Sequence, residues 1–261
     1  MAETHGALSK SEAEGVNETE TLPHVDITGN LDERLMTVKD PYSFATEQFK
    51  ILRSRLLYPI DGRVRRTIMV TSAMQGEGKS LVAANLAISI AQGIKEHVLL
   101  VDCDIRIPGQ HILFRVPGER GLSDYLSRDV ALNDLLVKTA VDKLTLLPGG
   151  KPPDNPAELL SAEKMNQLID EVKNRYDDRF IIFDATPAEI TAEVSVLAKQ
   201  VDGILLVIKR GYTDRDMIQR TVAILDREKI LGVVFNKDAG IPKKYDYYYD
   251  YYKGSKRRRT K

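Results

Sequence analysis

Residues 72–80, with the sequence SAMQGEGKS, have the composition of a loop that binds phosphate groups. The segment follows an apolar run and precedes a helix-like stretch, and its small residues allow backbone amides to face an anion at a helix N-terminus. Lys79 is placed to reach the terminal phosphates of a nucleotide, and the Ser80 hydroxyl is suited to bind Mg²⁺. The predicted nucleotide contacts are Gln75, Gly76, Glu77, Gly78, Lys79, Ser80 and Leu81.

Three carboxylates are expected beside this loop. Asp102 and Asp184 each end an apolar run, and Asp104 comes two residues after Asp102. Parallel strands present their carboxyl ends at one edge of a sheet, so these side chains converge there, Asp102 and Asp104 on the same side. Two such carboxylates hold Mg²⁺ and polarise a hydroxyl group, and Asp184 is expected to bind the ion through water. The sequence thus predicts a catalytic set of Lys79 with the three acids, and a metal set of Ser80 with the same acids. For Asp102 and Asp104 the alternative is a solvated strand end.

Two further residues lie near the predicted edge. Asn236 follows an apolar run, and its amide has the donor and acceptor that pair with an adenine edge, although an ordinary turn is the alternative. Cys103, the only cysteine of the chain, points away from the two neighbouring acids and is assigned to packing rather than redox chemistry.

The elements that position these residues alternate between short apolar runs and longer helical stretches. Strands are predicted over 67–71, 98–102, 144–147, 180–184, 203–208 and 231–235, all buried on both faces. Helices are predicted over 42–57, 79–92, 131–138, 162–176, 192–199 and 213–228. Pro152, Pro153 and Pro156 predict a rigid loop before the fourth helix. The pattern predicts an α/β fold with a mainly parallel central sheet flanked by helices, in a single domain.

The 261 residues carry no net charge, but the two ends are opposite in sign. Residues 1–38 hold eight acidic side chains against two basic ones, and residues 243–261 hold eight basic against two acidic. Both ends are poor in aliphatic residues, which predicts flexible tails around a folded domain over 39–242. A single cysteine, an acidic N-terminus and the lack of an apolar run of about 20 residues predict a cytoplasmic protein.

Several motifs together resemble one family, the bacterial tyrosine kinases of capsule and exopolysaccharide assembly, which are related to the ParA and MinD ATPases. The motifs are GEGKS at 76–80, DCDIRIP at 102–108 with His111 and Phe114, GLSDYL at 121–126, LPGG at 147–150, NPAELL at 155–160 and the strand that ends at Asp184. The resemblance covers most of residues 40–252. It implies a P-loop NTPase fold and a site in which Lys79, Ser80 and the three acids bind Mg-ATP and activate a tyrosine hydroxyl. Two departures are Gln75, where the family often has proline, and ATPA at 185–188, where an acid, a small residue and two prolines are more usual.

Six of the chain's 11 tyrosines lie close together near the C-terminus. They are Tyr245, Tyr247, Tyr248, Tyr249, Tyr251 and Tyr252. A tyrosine-rich tail of this kind is similar to the autophosphorylated cluster of the family. The alternatives are a merely solvated tail or a nucleic-acid-binding arm, since aromatic and basic residues together bind single strands, but Asp246 and Asp250 oppose nucleic-acid binding.

Glu47, Lys50 and Arg53 are spaced at three-residue steps and share one helical face. A solvated stripe is the plain interpretation. In the family, an acid and two basic residues with this spacing form contacts between subunits of a ring, with Lys50 here replacing the more usual arginine. The resemblance therefore implies oligomer contacts at these three positions.

Taken together, the motifs and the family resemblance predict an ATP-dependent protein tyrosine autokinase. The resemblance implies that it phosphorylates its own tail between molecules and regulates exopolysaccharide polymerisation and export. The alternatives are a ParA/MinD-like switch ATPase, in which Met74 would stand in place of an early loop lysine, and a catalytically weak adaptor of an export complex. The resemblance implies a homo-oligomer, a separate membrane chain-length regulator as activator and a phosphotyrosine phosphatase as partners. It also implies recruitment to the inner face of the membrane, and no nucleic acid is expected.

Overall fold

The apolar runs of the sequence form a seven-stranded sheet. The structure is a computed structural model that describes residues 31–128, 130–175 and 179–237. The strands are β1 Thr67–Ser72, β2 His97–Asp102, β3 Val137–Lys138, β4 Leu144–Leu147, β5 Arg179–Asp184, β6 Gly203–Lys209 and β7 Ile230–Asn236. Their order across the sheet is β3-β4-β2-β5-β1-β6-β7, and every pair is parallel except β3 with β4. The predicted α/β class with a mainly parallel sheet is confirmed.

Helices cover both faces of the sheet. They are α1 Met36–Lys39, α2 Phe44–Leu57, α3 Lys79–Ala91, α4 Gln110–Phe114, α5 Leu122–Ser127, α6 Pro156–Ser161, α7 Glu163–Arg175, α8 Glu193–Gln200 and α9 Arg215–Ile224. Successive residues of β1 alternate between two cores: Ile68 packs with α3 on one face, and Met69 packs with α7 and α8 on the other. Within the described ranges, no helix combines the length and apolar content needed to cross a membrane.

The strand β7 departs from the prediction that every strand is buried on both faces. It lies at an edge of the sheet among the described strands, and Val233 and Phe235 are 43% and 63% exposed. Its apolar sequence is that of an interior strand, but its place at the edge leaves part of one face uncovered. An apolar run therefore predicted the strand and not its degree of burial.

The helix predicted over 131–138 is wrong. Residues Leu132–Asp134 form a single 3₁₀ turn, and the chain then enters β3, which pairs with β4 in the antiparallel sense. The leucines of this segment have helical spacing, but Leu132, Leu135 and Leu136 are all buried in one core. The burial of these leucines beside the sheet outweighs the helix preference of the segment, which is only eight residues long.

Short helices account for the other differences. The loop predicted across Pro156 is the start of α6, with Pro156 at a first-turn position that needs no N–H donor. The helices α1, α4, α5 and α6 each span fewer than two turns, which is too short for a periodic apolar pattern. The helix predicted over 213–228 ends at Ile224, and a 3₁₀ turn follows at Arg227–Lys229.

The folded unit begins earlier than residue 39. Leu31 and Leu35, which lie within the tail predicted over 1–38, are buried in the core that α3 lines. Asn85 of α3 holds this segment through hydrogen bonds of 3.0 to 3.2 Å: its Oδ1 accepts from the N–H and hydroxyl of Thr37, and its Nδ2 donates to the carbonyl of Arg34. The acidic N-terminal segment therefore ends in an anchor that packs against α3, the helix of the phosphate loop.

Asn85→Ala should lower the free energy of unfolding by about 2 to 3 kcal/mol, because buried donors and acceptors of residues 34–37 lose their partner. Gln92→Ala is the matched control, since Gln92 is exposed and donates a single bond to the Thr37 carbonyl. It should cost less than about 1 kcal/mol. Urea unfolding of both variants measures the difference, and equal losses would contradict the anchoring role of Asn85.

Candidate active site

The predicted phosphate loop connects β1 directly to α3. Gly76 and Gly78 adopt positive φ angles of +82° and +93°, which side chains rarely allow. A Cβ on Gly78 would also lie 2.1 Å from Nδ2 of Asn236. Because α3 begins at Lys79, the N–H groups of its first turn have no carbonyl partner within the helix and face the loop, as anion binding requires.

The side chain of Glu77 holds this loop in place. It is fully buried, and its Oε2 accepts from the N–H of Met74 at 2.6 Å. Its Oε1 accepts from the N–H of Lys209 at 3.1 Å and from the hydroxyl of Thr213. The Glu77 side chain therefore ties the loop to the end of β6 and to the segment that leads to α9, and the predicted nucleotide contact of this residue stays a prediction.

Asn236 supports the same loop from β7. Its Nδ2 donates to the carbonyl of Glu77 at 2.7 Å, and its Oδ1 accepts from the N–H of Lys237 at 2.9 Å. The structure thus uses both atoms of this amide within the chain, and the adenine contact stays a prediction. Of the other predicted loop contacts, Gln75 is exposed and Leu81 lies in the first turn of α3.

Lys79 and two of the three predicted carboxylates meet behind the loop. The Lys79 Nζ lies 2.7 Å from Oδ2 of Asp104, 3.7 Å from Oδ1 of Asp184 and 3.2 Å from the Ser80 hydroxyl. Lys79, Asp104 and Asp184 are all buried. Burial by itself lowers the pKa of the lysine, but the charges of Asp184 and Asp104 outweigh it and raise that pKa overall. The lysine therefore stays charged in a site that is largely closed to water.

Asp102 lies next to Asp184 but has different partners. The two residues are paired in register on β2 and β5, and both are fully buried. Burial raises the pKa of each carboxyl; the charge of Asp184 raises that of Asp102 further, and the charge of Lys79 lowers that of Asp184. Asp102 Oδ2 accepts from the N–H groups of Gly109 and Gln110, both at 2.9 Å, so it fixes the start of α4.

The oxygen atoms of this site suit a hard cation whose remaining ligands are water molecules or phosphate oxygens. Among the described residues, no three carboxylate, imidazole or thiol groups converge closely enough to hold a metal ion by themselves. Asp102 Oδ1 and Asp184 Oδ1 are buried without a hydrogen-bond partner in the described part of the chain, and the Ser80 hydroxyl lies close to Lys79. Carboxylate and hydroxyl oxygens are ligands that Mg²⁺ prefers, and it usually keeps several waters and binds substrate phosphates. The residues therefore fit Mg²⁺ bound together with a nucleotide.

Gln110 is a site residue that sequence reasoning missed. It is fully buried, and its Nε2 donates to Oδ2 of Asp184 at 2.8 Å and to the carbonyl of Ser80 at 2.9 Å. It follows a proline and a glycine in a segment without periodicity, and no single glutamine has a sequence pattern that marks it. Only the packing of α4 against the ends of β2 and β5 brings it into the site.

The structure places the remaining predicted residues elsewhere. Cys103 is buried among apolar side chains, and burial raises the pKa of its thiol well above the usual range, so its assignment to packing is confirmed. Lys50 pairs with Glu47 at 2.5 Å on α2, whereas Arg53 donates to the Ser89 carbonyl of α3 at 2.7 Å. The six tail tyrosines lie outside the described residues.

Comparisons with known proteins agree with this geometry. Residues 68–255 match the family model of the CobQ/CobB/MinD/ParA nucleotide-binding domain. The putative tyrosine-protein kinase CapB of Staphylococcus aureus is 32% identical over 214 residues, which cover 81% of this chain and 92% of CapB. The tyrosine-protein kinase YwqD of Bacillus subtilis is 33% identical over 221 residues, or 84% and 92% of the two chains. This chain belongs to the bacterial tyrosine-protein kinases.

The solved structures place the kinase in the same family. The kinase domain of the Escherichia coli tyrosine kinase Etk superposes with a TM-score of 0.73 at 28% identity, over 82% of this chain and 84% of that one. The P-loop fold that the sequence predicted is therefore confirmed, and so is the resemblance to the tyrosine kinases.

Glu77→Gln should lower the affinity of the kinase for ADP by about tenfold. The new NH₂ group would face a backbone N–H, either of Met74 or of Lys209, and an unsatisfied buried donor costs about 1 to 3 kcal/mol. Gln75→Ala removes an exposed side chain from the same loop and should leave the affinity within about twofold of the parent, because the backbone cradle is unchanged. Isothermal titration calorimetry measures both. An unchanged affinity in Glu77→Gln would show that the loop does not depend on this carboxylate.

Proposed function

We propose that this kinase transfers the γ-phosphoryl group of ATP to the tyrosines of residues 245–252 on another copy of the chain, with Mg²⁺ as the cofactor. The observation that carries the proposal is the buried Lys79 ammonium, held between Asp104 and Asp184 directly behind the phosphate loop. A charged lysine at this place serves to bind and stabilise phosphate oxygens.

The backbone amides of the loop and of the first turn of α3 bind the phosphates. Lys79 exchanges its contact with Asp104 for the terminal phosphate and neutralises the charge that develops during transfer. Asp104, 7% exposed and the least buried of the three carboxylates, is then available to accept the proton of the tyrosine hydroxyl. The phenolic oxygen forms a bond to the γ-phosphorus, and the bond to the bridging oxygen of ADP breaks. When bound, Mg²⁺ supplies further charge neutralisation, and Ser80, Asp102, Asp104 and Asp184 are the residues placed to hold it.

The alternatives fit the chain less well. A ParA/MinD-like switch ATPase is opposed by Met74 at the loop position of the early lysine and by the concentration of tyrosines near the C-terminus. A weak adaptor would not need a buried lysine and carboxylates within bonding distance of each other. We extend the proposal to control of exopolysaccharide polymerisation and export in the cytoplasm. The resemblance of the motifs supports a membrane chain-length regulator that recruits and activates the kinase, and a phosphatase that reverses the modification.

Self-association through α2 is the second part of the proposal. The Glu47–Lys50 pair is partly exposed, with 39% and 35% of the two side chains accessible, and so it is available to a neighbouring subunit. Arg53 contributes from within, since its bond to Ser89 fixes α2 on α3. The exposure of the Glu47–Lys50 pair and the resemblance of the motifs support a homo-oligomer, including a ring.

Glu47→Ala combined with Lys50→Ala should shift the protein toward the monomer in sedimentation velocity, while ADP affinity stays at the parent value. An isolated surface pair contributes little to folding, so the fold should persist. The control is Glu33→Ala with Lys39→Ala, which removes another partly exposed ion pair. If the two double variants sediment alike, the α2 pair is merely solvated.

Lys79→Met should keep the fold and lose about 100-fold to 1,000-fold of the phosphotyrosine signal, since one donor to the transferred group is removed. The control is Lys39→Met, a lysine at the end of α1 that pairs with Glu33. Transfer between molecules is tested by mixing Lys79→Met, with its tail intact, and an active protein whose six tail tyrosines are phenylalanine. Mass spectrometry should find phosphate on the Lys79→Met partner. An unmodified partner, at concentrations where the two proteins associate, would refute transfer in trans.

A further inference from the structure

Gln110 bridges parts of the site that belong to three different elements. Its backbone N–H donates to Asp102 at the end of β2, and its side-chain Nε2 donates to Asp184 at the end of β5. The same Nε2 donates to the carbonyl of Ser80 in the first turn of α3. One residue thus joins two of the predicted cation ligands to the backbone of a third.

The orientation of the Gln110 amide is decided by its neighbours. The Ser80 carbonyl and the Asp184 carboxylate are hydrogen-bond acceptors, so the NH₂ group faces them and uses both of its hydrogens. The position of the amide oxygen Oε1 is then fixed by the bonds of the NH₂ group. It is buried without a hydrogen-bond partner among the described residues.

A buried acceptor without a donor requires a physical explanation. Three oxygens of this cluster have no hydrogen-bond partner among the described residues: Gln110 Oε1, Asp102 Oδ1 and Asp184 Oδ1. The last of them faces the Lys79 ammonium at 3.7 Å. Two are carboxylate oxygens that attract a cation, and the third is a neutral oxygen that accepts from water. Oxygens of these types suit a hydrated divalent cation, which carboxylates attract and whose own water ligands are strong donors.

We propose that Gln110 is a positioning residue of the cation site. Its NH₂ group holds the Asp184 carboxylate at a fixed distance from Ser80, and its Oε1 accepts a hydrogen bond from a water ligand of the cation. This inference rests on the proposed nucleotide and Mg²⁺ site and adds to it a residue that sets cation affinity.

The two contributions predict a selective defect. Gln110→Met keeps the volume of the side chain but removes the donor and the acceptor. Loss of a residue that orients a metal ligand typically costs about 10-fold to 100-fold in metal affinity. Binding of the nucleotide without metal depends on the loop amides and Lys79 and is expected to stay within about twofold of the parent.

The experiment uses the whole chain and Mn²⁺ as the spectroscopic probe. Mn²⁺ is titrated into the ADP complex and detected by electron paramagnetic resonance, and ADP affinity is measured separately in the presence of a chelator. Gln200→Met is the matched control. Among the described residues, Gln200 Oε1 is likewise buried without a hydrogen-bond partner. Gln200 ends α8, and nearby Asp202 donates its N–H to the carbonyl of Thr67, the first residue of β1. Gln200 therefore lies near the amino end of β1, whereas the cation site lies at the carboxyl ends of the strands. Thermal unfolding of every variant monitors the fold.

The proposal is supported if Gln110→Met loses at least about tenfold in Mn²⁺ affinity while its metal-free ADP affinity and the Gln200→Met control stay at parent values. The proposal is overturned if the Mn²⁺ affinity of Gln110→Met equals that of the parent. It is also overturned if the metal-free ADP affinity of this variant falls by the same factor as its Mn²⁺ affinity, because an equal loss indicates a general disturbance of the site. If Gln110→Met does not fold, Gln110→Asn decides by the same criteria, because it keeps an amide but is too short to reach both partners. A parent protein that binds no Mn²⁺ with ADP would overturn the proposed function as well, whereas an unchanged Gln110→Met overturns only this inference.

Discussion

The buried ammonium of Lys79 is the interaction on which the rest of the site depends. A lysine charge away from water is costly unless carboxylates balance it. Here Asp104, two residues after the end of β2, and Asp184, at the end of β5, do so. This balance requires the carboxyl ends of β2 and β5 and the first residue of α3 to lie on the same side of the sheet. The parallel topology brings the ends of β2 and β5 close to the start of α3, and the Lys79 ammonium then contacts the carboxylates of Asp104 and Asp184.

The same arrangement explains why the loop needs support. Gly76 and Gly78 give the backbone the conformations that phosphate binding requires, but glycines also make a loop easy to deform. Gln75 comes before these glycines and does not restrict the backbone as a proline would. Glu77 and Asn236 compensate from inside, since they tie the loop to β6 and β7 through the four hydrogen bonds of their side chains to Met74, Lys209, Thr213 and the Glu77 carbonyl. Rigidity that a proline would supply covalently is supplied here by buried hydrogen bonds.

Two kinds of residue thus surround the predicted nucleotide. Lys79 and Asp104 have partners that a substrate can replace, because each contacts the other and Asp104 retains slight exposure. Glu77, Gln110 and Asp102 are fully buried and bonded to backbone groups, so they hold the frame. This separation of exchangeable from fixed contacts would let the closed site accept phosphate, as we propose, without rearranging its strands.

The fold class and the main charged residues of the site could be predicted from the sequence alone, because both follow from residue types and spacings within short segments. The GEGKS loop, the acids that end apolar runs and the alternation of strands with helices predicted the fold, the Lys79 cluster and the family. The partners of each side chain could not be predicted in this way. Gln110 has no motif, the buried side-chain bonds of Glu77 leave no pattern in the sequence, the leucines at 132–136 have helical spacing, and residues 31–38 fall within the predicted tail. In each case the outcome depended on which distant segment packs against the residue, such as Ser80 against Gln110 or Thr213 against Glu77. Sequence spacing determines which groups leave an element at the same end, whereas only the tertiary packing decides which of them come within 3 Å of each other.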